Sequence, residues 1–177
     1  ASQVRPDLSL RPLQESIVAE GLRVYAEQEN WRSAHRLACE GESCLAPGAD
    51  PELVQLAGEA HKNWGNVELA GGYYRDALDT LERCRKLIAE PECDFELGSA
   101  WAAVGEVGKA LPAFQRYLKV QSSLDAVKRV GAYLEDNYLF DEALQLYTDR
   151  MQDQESREAL RTVVTELYLK RQEAAKA

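Results

Sequence analysis

The strongest constraint on this chain is a pattern that returns along its length. Between residues 91 and 123 it reads Leu97-Gly98, Trp101, Gly105, Ala110 and Phe114. One step on it reads Val130-Gly131, Leu134, Tyr138, Ala143 and Tyr147. One step back it reads Ala57-Gly58, His61, Gly65, Ala70 and Tyr74. A weaker copy stands near the start: Gly21-Leu22, Tyr25, Glu29, Ala34 and Ala38. The anchoring alanines Ala34, Ala70, Ala110 and Ala143 are 36, 40 and 33 residues apart, which places an insertion of about six residues between the second and third units. Such self-similarity means stacked copies of one supersecondary unit, none of which can bury its apolar face alone.

The residue types say how each copy packs. Small residues at Gly58, Gly98 and Gly131 let one helix of a pair approach its partner closely, and Ala70, Ala110 and Ala143 do the same from the partner's side. Tyr25, Tyr74, Trp101, Phe114 and Tyr147 fill the wedges between pairs. The pattern resembles the tetratricopeptide repeat (TPR) family, whose 34-residue unit runs W-x2-L-G-x2-Y, then A-x3-F, then P. Leu97-Gly98-x2-Trp101 and Ala110-x3-Phe114 carry the likeness. Asp94 stands where a bulky aromatic is usual, Pro112 falls inside a helix, and Leu22 replaces the small residue of the first unit.

The expected fold is all-α, an α-solenoid of about four TPR-like hairpins and a capping helix. Residues 1–14 form a lead-in, with Pro12 placed to start the first helix. Residues 15–157 hold the repeats, at about 15–50, 51–90, 91–123 and 124–157, and residues 158–177 the cap and tail.

Charge narrows the partners. With 21 Lys+Arg against 30 Asp+Glu the net charge is −9, and both halves share the excess acid. No basic stripe exists to neutralise phosphates, so nucleic acid is excluded as a partner. The apolar runs are too short to span a bilayer, although an upstream lipid anchor is compatible with this start. No convergent catalytic set, cofactor motif or metal site is expected. His35 and His61 belong to different repeats, and His61 is read as a packing residue matching Tyr25, Trp101 and Leu134. Gly71-Gly72 lacks the Lys-Ser/Thr of a phosphate loop.

The four cysteines fall in two local pairs, Cys39 with Cys44 and Cys84 with Cys93, each straddling a helix end marked by Gly41 or Pro91. The even count and the proximity favour two local disulfides, over buried reduced thiols and over a zinc site using all four. Disulfides imply a periplasmic, cell-surface or secreted setting; reduced thiols imply a cytoplasmic one.

The TPR resemblance implies a concave groove lined by the first helix of each pair. It projects onto Arg23, Gln55, Glu59, Lys62, Asn63, Phe95, Ser99, Lys128 and Glu135. Only Lys62 and Asn63 fit the family's carboxylate-clamping pattern, so an extended or helical peptide with apolar anchors suits the groove better. The expected function is a non-catalytic protein- or peptide-binding module, a scaffold or assembly factor of an envelope complex, with self-association open. A cytosolic TPR adaptor or chaperone is the alternative.

Overall fold

The computed structural model describes residues 10–152 and 154–175. Among them the chain contains nine α-helices and no strand. They are α1 (Arg11–Glu27), α2 (Trp31–Glu40), α3 (Pro51–Ala70), α4 (Tyr74–Leu87), α5 (Pro91–Ala103), α6 (Val107–Val120), α7 (Leu124–Asp136), α8 (Phe140–Arg150) and α9 (Gln154–Ala174). One turn of 3₁₀ helix, Glu42–Leu45, follows α2. Two compact units divide within α5, one ending at Leu97 and the other beginning at Gly98.

Local signals set the helix limits. The side chains of Asn30, Asp50 and Ser123 accept backbone N–H groups at the starts of α2, α3 and α7, satisfying donors that a helix start leaves unpaired. Four equivalent turns end α1, α3, α5 and α7. In each, a residue in the left-handed region (Glu29, Gly72, Gly105, Tyr138) precedes an N–H that reaches back five residues: Asn30 to Tyr25, Tyr73 to Glu68, Glu106 to Trp101 and Leu139 to Leu134. This closure satisfies the last carbonyls of the helix and turns the chain into the next one. Glycine takes that backbone freely, whereas Tyr138 holds it at φ 60° against steric resistance. Pro112 lies inside α6 and the helix continues through it.

The turns fix the repeat register, and the register corrects the sequence expectation. The left-handed residues are 43, 33 and 33 residues apart, as are Ala34, Ala77, Ala110 and Ala143. The anchoring alanine of the second pair is therefore Ala77, fully buried in α4. Ala70 is the exposed last residue of α3. Tyr74 is likewise exposed rather than wedged, and its place is taken by buried Leu81. The extra residues lie between the first and second pairs, in the 41–50 connection and in the longer α3, not before the third pair.

Size complementarity holds each pair. A Cβ on Gly65 would come within 2.7 Å of Leu81 and one on Gly98 within 2.6 Å of Phe114, while one on Gly131 would overlap the Tyr147 ring. The first pair inverts the sizes: Leu22 occupies the small position and Ala38 the large one, both buried in one cluster with Ala19, Ala34, Cys44 and Leu53. The departure at Leu22 is thus compensated across the hairpin. In the second unit α9 packs on α8, burying Leu160 and Leu167.

Candidate functional site

The first unit gathers its chemistry where α2 faces α3. His35 and Cys39 are four residues apart on α2 and so share one helix face. His61, on α3, is buried. The Nδ1 atoms of His35 and His61 are 2.9 Å apart, and Cys39 Sγ lies 3.6 Å from His35 Nε2. The two imidazoles meet edge to face, with Trp64 beside His35. One ligand atom from each of His35, Cys39 and His61 can be chosen so that all three lie within 4.8 Å of one another.

Burial sets the protonation of this cluster. It pushes His61 down to about 3, with His35 and Arg83 adding in the same direction. His35 is lowered too, first by burial and then by Arg83. Both rings are therefore neutral at pH 7, one Nδ1–H donating to the other ring's Nδ1 lone pair. Burial raises the Cys39 thiol, Arg83 opposes, and Glu42 and Glu40 add to the rise. A protonated thiol is a poor nucleophile, so the arrangement is not that of a reactive cysteine. A cavity of about 600 Å³ opens on His61, lined by Glu42, Asp79, Glu82, Arg83 and Lys86.

This cluster was not legible from the expected register. Aligning Gly58 with Gly98 makes His61 an equivalent of Trp101, a wedge position. The observed turns instead make Glu68 that equivalent. The signal that finds the cluster is the i, i+4 pair His35 and Cys39 on a short helix, with a second histidine on the next one.

The cysteines divide differently from expectation. Cys84 and Cys93 lie at disulfide distance, with S–S 1.92 Å and Cα–Cα 6.1 Å, joining the last turn of α4 to the first turn of α5. They span the short connection 88–90, already held by Ile88 against Gly58 and by an ion pair of 2.6 Å from Lys62 to Glu90. Cys39 and Cys44 are free, against the expected bond. Beyond Gly41 the chain enters the 3₁₀ turn, which carries Cys44 into the apolar core while Cys39 stays beside His35. A four-cysteine metal site is excluded by the same division.

No family model matches the chain, and no curated protein matches it significantly. Solved structures do. The crystal structure of MamA protein is similar at a TM-score of 0.54 and 18% identity, covering 92% of this chain and 87% of that one. A thermophilic TPR protein of Thermus thermophilus is similar at a TM-score of 0.46 and 17% identity, covering 92% and 85%. The first likeness agrees with the helical hairpins described above. The fold is that of TPR proteins.

On this TPR fold the expected groove residues separate into two sets. Phe95 and Ser99 are buried, so they cannot line an accessible groove; the Ser99 carbonyl accepts the Tyr133 hydroxyl at 3.0 Å. Glu135 is largely covered and engaged inside the second unit, accepting from Tyr147 at 3.1 Å and pairing with Lys170 at 2.8 Å. The others stay at the surface. Arg23 pairs with Glu20 and Glu52, Gln55 donates to Glu59, Asn63 donates to the Glu59 carbonyl, and Lys128 is half-buried. Sequence reasoning missed two features of the TPR surface. Leu10, Leu13, Ile17 and Val24 line one face of α1 and its cap, 52%, 60%, 63% and 40% exposed. In the second unit a cleft of about 610 Å³ between α6 and α8 is lined by apolar Phe114, Leu118 and Leu146 and by Asp141, Glu142 and Asp149 together with Lys119 and Arg150.

Proposed function

We propose that the chain is a non-catalytic protein-interaction module, a scaffold or assembly factor of an envelope-associated complex. The observation that carries this reading is the uncovered apolar stripe on α1. Four large aliphatic side chains on one helical face are costly to leave in water, and such a patch on a stacked-hairpin fold suits a partner's apolar helix. The oxidising compartment is supported by the Cys84–Cys93 pair. Arg23 on another face of α1, with Gln55, Glu59, Lys62 and Asn63 on α3, is read as a separate polar contact.

The test is affinity capture from the source organism with the full chain, compared with Leu13→Glu/Ile17→Glu and with Gln55→Glu/Lys62→Glu. The reading expects a defined protein to be recovered with wild type and lost with the α1 variant, which should fold normally because the changed residues are exposed. Retention by both variants would move the binding surface elsewhere. Capture of the chain itself, with a concentration-dependent mass in light scattering, would make the stripe a self-association face.

A second reading has its own observation, the apolar cleft between α6 and α8, whose mixed charge, Asp141, Glu142 and Asp149 with Lys119 and Arg150, suits a polar peptide with an apolar anchor. Loss of the captured protein with Leu146→Glu alone would favour it.

A further inference from the structure

We propose that His35, Cys39 and His61 form a binding site for a single zinc-class divalent metal ion, with the fourth coordination position opening into the adjacent cavity. Two imidazoles and a thiol are the donor set zinc prefers, and three protein ligands with an open fourth position is a recognised zinc arrangement. The spacing fits. Tetrahedral ligand atoms around zinc stand about 3.3–3.6 Å from each other at the usual bond lengths. With one ligand atom from each residue the three lie within 4.8 Å of one another. The contacts of 2.9 Å to His61 and 3.6 Å to Cys39 use opposite ring nitrogens of His35, so His35 must turn to present one nitrogen to the ion while the other two side chains draw in. His35 and Cys39 are fixed by one helix, while His61 comes from the next and is held by the core. An ion there would tie α2 to α3 beside the irregular 41–50 connection, which has no disulfide of its own.

The surroundings balance the charge. A thiolate leaves one positive charge on the bound ion. Glu42, Asp79 and Glu82 line the cavity against Arg83 and Lys86, and Arg83 already pairs with Glu42 at 3.3 Å. Binding releases the Cys39 thiol proton to solvent. Each histidine keeps its one N–H, shifted to the nitrogen that faces away from the metal, so one proton leaves per ion bound. Water or a cavity carboxylate completes the fourth position.

The experiment is titration of the full chain with Co²⁺ as a spectroscopic probe, then Zn²⁺ by competition, under inert gas and without added thiol so that the Cys84–Cys93 pair stays intact. One Co²⁺ per chain is expected, with a thiolate-to-cobalt charge-transfer band, visible bands of tetrahedral intensity and release of one proton. Cys39→Ser should abolish the charge-transfer band, and His35→Ala should weaken Zn²⁺ binding at least about tenfold. Both residues are only half-buried, so these variants decide the matter even if His61→Ala fails to fold. Cys44→Ser and Cys93→Ser should keep the band. A wild type without the band, a band that survives Cys39→Ser, or unchanged affinity in His35→Ala would overturn the site and assign any bound ion to surface carboxylates.

Discussion

The two units of this chain solve the same packing problem with different regularity. From Gly98 onward the hairpins keep a 33-residue step, with glycine set against an aromatic ring: Gly98 on Phe114, Gly131 on Tyr147. The first unit has a 43-residue step, an inverted small-large pair in Leu22 and Ala38, and a glycine set against aliphatic Leu81. It also brings together His35, Cys39 and His61; in the same register the second unit has Leu111 and Leu144 for His35, Gln115 and Thr148 for Cys39 and Val127 for His61. A repeat that keeps its period is constrained everywhere by its neighbours. One that breaks its period gains a longer connection and an extra stretch of helix, and there side chains free of the packing pattern can carry other chemistry.

The comparison is broken most severely by removing the space it depends on. Gly98→Leu and Gly131→Leu should each lose about 3 kcal/mol in denaturant titration, because rigid aromatic rings occupy the site of the new side chain. A loss under about 1 kcal/mol would mean the regular unit is looser than its geometry. Acid should act on the first unit. His61 titrates near 6.5 in the unfolded chain and at about 3 in the folded one. Between those values the unfolded chain holds a proton that the folded chain does not, so stability falls as pH drops from 6.5. By pH 5 the loss should be about 2 kcal/mol, and His61→Leu should flatten the slope. A profile as steep in His61→Leu as in wild type would assign the acid sensitivity to other groups.

Reduction of Cys84–Cys93 comes next. A closed loop of this size contributes up to about 2–3 kcal/mol in the chain-entropy model, and the short connection it spans is already held by Ile88 and Glu90. The expected loss is about 1–2 kcal/mol with helix content unchanged by circular dichroism; a loss of helicity would show that the bond defines the fold. The smallest effect sharpens the comparison of the turns. Tyr138→Gly relieves a left-handed backbone that Gly72 and Gly105 adopt freely, and should raise stability by about 0.5 kcal/mol. A destabilised variant would mean that the ring contact between Tyr138 and Phe140 outweighs the backbone cost.

How much of this was legible in the sequence follows from the same contrast. The helical hairpins, the third and fourth repeats and the departure at Leu22 could be read directly, because glycine, alanine and aromatic positions recur there at one period. Within the second repeat the anchor positions slipped by seven residues, Ala70 standing for Ala77 and Tyr74 for Leu81, while the hairpin itself lies at the expected place. Gly58 and Gly65 lie two turns apart on one face of α3, and so do Ala70 and Ala77 in the pattern, so local spacing fits either register. Only the turn at Gly72, with its left-handed backbone, separates them. That slip also hid the site, since it turned His61 into a wedge residue and kept it apart from His35. The burial of Phe95 and Ser99 was hidden for another reason: projecting a family groove assumes that every first helix shows the same face to solvent.

The register of the second hairpin is the claim on which the rest depends, and one pair of variants tests it. Ala77→Leu and Ala70→Leu are compared by denaturant titration under identical conditions. Ala77 is fully buried in α4 and should lose about 3 kcal/mol, whereas Ala70 is exposed at the end of α3 and should stay within about 0.5 kcal/mol of wild type. The opposite order, with Ala70→Leu destabilised and Ala77→Leu tolerated, would contradict the account.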